Sequence, residues 1–407
     1  MANSTWNLVH YRRPWIEGLM GEGFTVYTAS PVDKHLADLE QLTGTTHFAL
    51  HYLDPKGQRS RSELACWWEL LQLYRRLKPQ LVAHFTIKPN IYGGIAARCL
   101  GIRYLGVITG LGYTFIHGGW RNGLVPYLYR LGLARAKAVV FYNSADRQVF
   151  LEKKILSSQA CRMIDGSGVN IDHFHPKPIP PLTEKGLKLI FVGRLLRDKG
   201  VLELIQAVAI LRSEGVKVQL SLLGAAETQN PEALHRKEIL DYIDASLEQA
   251  ASHRLDQVKL NTPAQEVPML PSLHALMDEH QADAPPIRLC DPVKDVRPSL
   301  LSHHLFVLPS YREGLTRAGV EALSTGRPVL LSDVPGCREL IIADGVNGHL
   351  VPPKAVGPLV RQLRDFSSYT HNKLTEMGAQ SRQLAEERFS AKATTTAFLQ
   401  LVRDSLR

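Results

Sequence analysis

Short runs of apolar, often β-branched residues recur along this chain, each followed by a longer stretch whose apolar positions fall at helical spacing. That alternation predicts α/β units around mostly parallel sheets. In the first half the predicted strands are FTVYTAS from Phe24, HFALHYL from His47, QLVAHFT from Gln80, YLGVITG from Tyr104 and AVVFYN from Ala138. Helices are expected between them, over SELACWWELLQLYRRL and NIYGGIAARCL. The segment HFHPKPIPPLTEKG, from His173, carries Pro176, Pro178, Pro180 and Pro181, which rule out regular helix or central strand and make it the interdomain linker. The pattern restarts at LKLIFVG from Leu187, followed by a helix in which Leu204, Val208 and Leu211 recur, and then by the strands VQLSLLG, HLFVLPS and PVLLSD. The expected domains are 1–172, a linker at 173–186, a second domain at 187–388 with a polar insertion at about 226–283, and a C-terminal helix at 389–407 crossing back to the first domain. The first strand of a doubly wound sheet should precede ANSTWNLVHYRRP, yet almost nothing does. Either the sheet lacks an outer piece of that strand or the true start lies upstream.

A length of 407 residues suits two packed domains, and 44% hydrophobic with 21% charged residues reads as soluble and globular. No run of about 18 uncharged apolar residues appears, and the first residues lack the basic-then-apolar order of a secretory signal, so a cytoplasmic protein is expected. The five cysteines, Cys66, Cys99, Cys161, Cys290 and Cys337, lie too far apart in sequence for the close pairs of a zinc or redox site. His274, Asp278, Glu279 and His280 read as a solvated helical face rather than a metal site. Of the net charge of +9, most falls in residues 1–150, which hold 17 Lys and Arg against 9 Asp and Glu. This half is expected to face an anion such as a phosphate-bearing acceptor or an anionic membrane; no zinc-finger or RNP pattern supports nucleic acid.

Two motifs carry chemistry. In FVGRLLRDKGV, Gly193, Arg194, Lys199 and Gly200 stand at a strand-to-helix turn, where outward backbone N–H groups and two cations would neutralise a diphosphate. Arg grips such a group bidentately and Lys acts as a point charge, which suits a leaving group that gains negative charge. In PSYREGLTRAGVEALSTGRPVLLSDVPGCREL, Glu313 in the loop and Glu321 two turns into the helix are spaced to accept hydroxyls from a donor sugar and from a ribose. The N–H groups of Gly314, Leu315 and Thr316 between them would receive phosphates. No D-x-D motif is present to clamp a metal, so no metal or other cofactor is expected.

The two motifs, their order, the strand before each and the trailing Gly326, Pro328, Gly336, Glu339, Asn347 and Gly348 resemble the retaining GT-B glycosyltransferases of family 4. The resemblance implies two Rossmann-like doubly wound domains facing each other across a cleft. It further implies Arg194 and Lys199 as the diphosphate-binding pair and Glu313 and Glu321 as the E-x7-E pair. HFTIKPNIYGGIAAR, VITGLGYTF, FYNSADRQVF and GSGVNIDHF look like the subgroup that builds bacterial capsule, O-antigen and glycoprotein oligosaccharides on a polyprenyl-diphosphate carrier. The expected donor is then a UDP-hexose or UDP-N-acetylhexosamine and the acceptor a lipid-linked saccharide, at the inner face of the cytoplasmic membrane.

Gly110 and Gly112 would let the backbone approach the donor. Acceptor contacts are assigned to His84, Lys88, Asn90 and Tyr92, against structural roles for the same residues. Gly166, Ser167 and Gly168 read as a turn beside the cleft or simply a tight turn. Trp120, Arg121, Tyr127, Arg130 and Arg135 mingle aromatic and basic character on one amphipathic stretch, which suits either anionic lipid or packing on the domain's own sheet. Two rival readings remain. One is a nucleotide-sugar-binding protein that has lost catalysis; the other, a nicotinamide-dependent dehydrogenase, lacks the G-x-G-x-x-G fingerprint.

Overall fold

The computed structural model describes residues 1–41, 44–53, 62–111, 121–225, 232–261 and 285–407. They form two units, Met1–Asn170 with Glu387–Arg407, and Ile171–Glu386.

In the second unit, apolar runs buried on both faces can only sit inside a parallel sheet covered by helices. β7 (Leu187–Val192), β8 (Val218–Leu223), β9 (Ile287–Cys290), β10 (Leu305–Leu308), β11 (Val329–Ser332) and β12 (Gly348–Val351) pair in the order β12-β11-β10-β7-β8-β9, every pair parallel. The first strand of the unit is central, the next two lie on one side and the last three on the other. The chain therefore reverses direction between β7 and β10, and ligands of such sheets bind beyond the strand C-termini at that switch point. The segment expected as a polar insertion contains, in its described part, a 26-residue helix, Arg236–Asn261. It packs on the helix Val201–Ser213, and Leu234, Ile239 and Ile243 are buried. Parallel β8 and β9 need a crossover connection, and this helix supplies it. Its largely polar sequence disguised it as an appendage. His274, Asp278, Glu279 and His280 lie outside the described residues.

The first unit holds β1 (Val26–Ser30) and β2 (Thr45–Ala49) as one parallel pair, and β3 (Leu81–Phe85), β4 (Arg103–Ile108), β5 (Ala138–Phe141) and β6 (Cys161–Met163) as a parallel four-stranded sheet. One face of β3 and β4 carries Leu70, Leu71, Tyr74, Ala96, Ala97 and Tyr104; another cluster joins Ile91, Tyr129, Leu133, Phe141 and Phe150. Among the described residues, only Met1 and Ala2 stand between the two sheets. The Met1 amine donates to the Ala83 carbonyl at 2.9 Å, Phe85 N–H donates to Met1 O at 3.0 Å and Ala2 N–H to Ala29 O at 3.1 Å.

The helix Ala391–Leu406 belongs to this unit. It packs on the helix Arg13–Gly21, with Trp15 stacked on Phe398 at 4.1 Å between ring centroids. Its start is latched by the glycine turn: Gly168 has φ +70°, and an added Cβ would lie 2.6 Å from Ala391 Cα. Val169 bonds Phe389 and Ala391 through its N–H and carbonyl. The proline-rich stretch 173–186 contains no helix and only an isolated bridge between Thr183 and Gly186.

Candidate functional site

Two loops meet at the switch point of the second unit because two glycines let them. Gly200, at φ +71°, ends the turn after β7, and an added Cβ would lie 2.1 Å from the carbonyl oxygen of Pro309, just beyond β10. No other residue fits both the backbone angle and the space. Gly336, at φ +80°, likewise presses on the Glu313 carbonyl, 2.6 Å from where its Cβ would be. The result joins residues far apart in sequence. Lys199 Nζ donates to Glu313 Oε1 at 2.6 Å, and Ser310 Oγ donates to the same oxygen at 2.8 Å. Both charged side chains are mostly buried, at 16% and 12% exposed. Arg194, by contrast, is exposed and makes no ion pair among the described residues. Asp198, between them in sequence, has its carboxyl raised by burial, with Lys199 and Arg194 pulling it back. Tyr311 closes this corner, donating its N–H to Asp198 O at 2.8 Å and its hydroxyl to Glu203, beneath the Lys354 ammonium at 4.6 Å.

The turn after β7 was expected to aim free N–H groups outward; most of them are engaged. Gly193 N–H bonds Leu223 O at 3.1 Å and Leu195 N–H bonds Ala225 O at 3.0 Å, prolonging the ladder with β8. The N–H groups of Leu196 and Lys199 bond Arg194 O and Leu196 O within the turn. What the turn offers a ligand is therefore chiefly side-chain charge.

The second motif departs from expectation in a similar way. The helix Arg317–Ser324 starts after Thr316, whose Oγ1 caps it by accepting from Gly319 N–H at 3.3 Å. Thr316 directs its own N–H to Gly336 O at 3.4 Å, so it serves the helix rather than a phosphate. Gly314 and Leu315 are partly exposed in the preceding loop. Glu321 stands about one turn into the helix, not two, and accepts from Arg317 Nε at 2.9 Å. Burial raises its carboxyl above the ordinary range, and Arg317 opposes the shift. Each glutamate of the pair thus has its own cation.

In the first unit the four expected acceptor contacts separate into two kinds. His84 is fully buried, its Nε2 2.8 Å from Tyr74 Oη, and burial holds it well below its usual pKa. Asn90 is also fully buried, its amide donating to Thr86 O and Val107 O while Oδ1 accepts from Val107 N–H. Both lie in the core rather than facing a ligand: Asn90 fills its bonding capacity against backbone, while His84 meets the Tyr74 hydroxyl through Nε2 and leaves Nδ1 buried without a hydrogen-bond partner among the described residues. Lys88 and Tyr92 remain partly exposed. Lys88 Nζ binds Glu63 Oε1 at 2.7 Å, and burial together with Glu63 raises the Tyr92 phenol.

Two neighbours escaped sequence reasoning. Glu63 sits in an unremarkable helix, and Thr86 adopts φ +73°, an outlying conformation for a β-branched residue, with its Oγ1 buried and unbonded. Gly110 follows β4 with φ +148°; Gly112 and Trp120 lie outside the described residues. On the helix Arg121–Leu133, Tyr129 and Leu133 are buried while Leu124 and Tyr127 are exposed. Among the described residues no helix is long and apolar enough to cross a membrane, and no group of three or more His, Cys, Asp or Glu is placed to hold a metal ion.

Comparison with known proteins bears on both units. The family described as "Glycosyl transferase 4-like" matches residues 3–143, and "Glycosyl transferases group 1" matches residues 266–368. Together they span more than half of the chain. The N,N'-diacetylbacillosaminyl-diphospho-undecaprenol alpha-1,3-N-acetylgalactosaminyltransferase of Campylobacter jejuni is 23% identical over 353 residues, 82% of this chain and 80% of that protein. The capsular polysaccharide biosynthesis glycosyltransferase CapM of Staphylococcus aureus is 23% identical over 352 residues, 81% of this chain and 78% of that protein. Anabaena HepE, solved with UDP-glucose, superposes with a TM-score of 0.70 at 16% identity, covering 99% of this chain and 98% of that one. Two parallel-sheet units, the paired loops at the second unit's switch point and these matches agree: the chain belongs to the GT-B glycosyltransferases.

Proposed function

We propose that the chain transfers a hexose or N-acetylhexosamine, with retention of anomeric configuration and without a metal, from a UDP-sugar to a polyprenyl-diphosphate-linked saccharide in bacterial polysaccharide or glycan biosynthesis. The observation that carries the reading is the Lys199–Glu313–Ser310 contact at the switch point, with exposed Arg194 on the same turn. Arg194 and Lys199 take the diphosphate. Glu313, relieved of Lys199, accepts hydroxyls of the donor sugar, and Glu321 accepts a ribose hydroxyl. As the anomeric C–O bond breaks, the electron pair goes to the β-phosphate oxygen, where the two cations stabilise it. The acceptor hydroxyl oxygen bonds the anomeric carbon on the same face, and its proton passes to that phosphate oxygen. The name of the Campylobacter relative supports the substrate class, and that of the Staphylococcus relative supports polysaccharide biosynthesis. Exposed Leu124 and Tyr127, within a basic unit, support contact with the membrane that would carry such an acceptor.

The competing reading, a protein that binds a nucleotide sugar without transferring it, draws on the interrupted sheet of the first unit. A panel of UDP-, GDP- and TDP-sugars, offered with and without a polyprenyl-diphosphate-linked monosaccharide, separates the two. Acceptor-dependent UDP release with an axial-to-axial or equatorial-to-equatorial product by NMR is expected. Binding without release favours the rival, and an inverted product refutes retention.

A further inference from the structure

The helix Arg317–Ser324 sets its charges in the order that helix stability least favours. Arg317 is its first residue, at the end where the helix dipole disfavours a cation, and no acidic residue stands in that first turn. It also precedes its partner Glu321 by four positions, the weaker of the two orders for an ion pair along a helix. Helix stability therefore does not account for the pair. Nor is it a solvated surface contact, since the two side chains are 28% and 14% exposed.

The backbone beneath the pair is fixed. Val320, Ala322, Leu323 and Ser324 are buried, and at Gly319 an added Cβ would lie 2.5 Å from Leu340 Cδ2 and 2.7 Å from Thr316 Cγ2. The Glu321 carbonyl accepts from Thr325 N–H at 3.0 Å, just before Gly326 turns the chain away at φ +71°. What the backbone does not fix is the glutamate side chain, which has several rotamers open to it. Arg317 supplies that restraint. Its Nε donates to Glu321 Oε1 at 2.9 Å, while Oε2 has no hydrogen-bond partner among the described residues. One oxygen is held and the other is offered. Burial raises this carboxyl, and the guanidinium opposes the shift, so the offered oxygen keeps more of its charge than burial alone would leave it.

From this geometry we infer that Arg317 is a positioning residue for nucleotide selection: it fixes Glu321 so that Oε2 accepts a ribose hydroxyl, and does not itself bind the donor. The inference rests on the reading of Glu321 as the ribose acceptor, and adds the means by which the site tells a ribonucleotide from one lacking those hydroxyls. Lys199 leaves Glu313 for the diphosphate, whereas Arg317 stays with its glutamate. A missing hydroxyl then leaves a fixed, mostly buried carboxylate unpaired, which makes the discrimination steep.

Calorimetric titration with UDP and with 2′,3′-dideoxy-UDP, on the native chain, Glu321→Leu, Arg317→Met and Arg317→Lys, tests it. The native chain should prefer UDP by about tenfold or more, and Glu321→Leu, without an accepting oxygen, should lose most of that preference. Arg317→Met should lose it too, through weaker UDP binding alone, with dideoxy-UDP bound within about twofold of the native affinity. Arg317→Lys keeps a charge without the rigid guanidinium fork and should fall between the two. A preference equal to the native one in either Arg317 variant overturns the inference while leaving the role of Glu321 intact. Equal weakening towards both nucleotides in Arg317→Met also overturns it, because it marks a general structural role or a contact with the diphosphate. If the native chain binds both nucleotides alike, or Glu321→Leu keeps the preference, the ribose role of Glu321 fails and the inference falls with it.

Discussion

The two units solve the same sheet differently. In the second, β7 runs for six residues through the middle, paired with β8 on one side and β10 on the other, and Leu189, Ile190 and Phe191 are fully buried. In the first, the equivalent position between β1 and β3 holds, among the described residues, only Met1 and Ala2 beside a cavity. The difference shows what a central strand does for a site. Where it is complete, its C-terminal end fixes the turn that carries Arg194 and Lys199, and glycines lock that turn against the loop after β10. Where it is interrupted, the polar groups that remain at the strand ends, Lys88, Glu63 and Tyr92, depend on β3, β4 and their helices alone.

The largest effect that would sharpen this contrast is chemical. Lys199→Ala should lower turnover by about 100-fold or more, because the charge on the leaving phosphate loses a fixed partner. A steady-state UDP-release assay reads it, and Lys88→Ala in the first unit should act mainly on acceptor KM. Next in size is Gly200→Val, which puts a β-branched side chain at φ +71° and against Pro309 O. A loss of about 2–4 kcal/mol is expected by denaturant unfolding. Gly21→Ala in the first unit has nothing within 4 Å of the added Cβ and should change stability by less than about 1 kcal/mol.

A smaller effect is expected at Glu321. Its carboxyl stays protonated to higher pH when folded than its ordinary value of 4.5, so its ionisation costs stability above the folded pKa and nothing below 4.5. Glu321→Gln should therefore be the more stable form at neutral pH, with the gap closing as pH falls towards 4.5, while its donor KM rises. Smallest of all, Arg403→Ala removes an exposed ion pair with Glu22 on the C-terminal helix and should shift stability by no more than about 0.5 kcal/mol.

Much of the second unit was legible because its signals are local. LKLIFVG is apolar on both faces, Gly193 and Gly200 bracket a turn, and two glutamates sit seven residues apart. β9 and β12 were not legible: four residues each, with Arg288 or His349 among them, they present too short an apolar run. In the first unit the errors are of another kind. His84 and Asn90 look like ligand groups in sequence because their partners, Tyr74 and Val107, are brought to them only by the sheet. The positive φ of Thr86 leaves no trace in composition, and Thr316 looks like a phosphate donor until its role as a helix cap is seen.

The central claim is that the cations at the second unit's switch point hold a nucleoside diphosphate. Calorimetric titration of UDP into the native chain and into Arg194→Ala/Lys199→Ala tests it most directly. Binding that weakens at least tenfold in the double variant, with both proteins folded at the titration temperature, is the predicted result; equal affinity in the two proteins would contradict it.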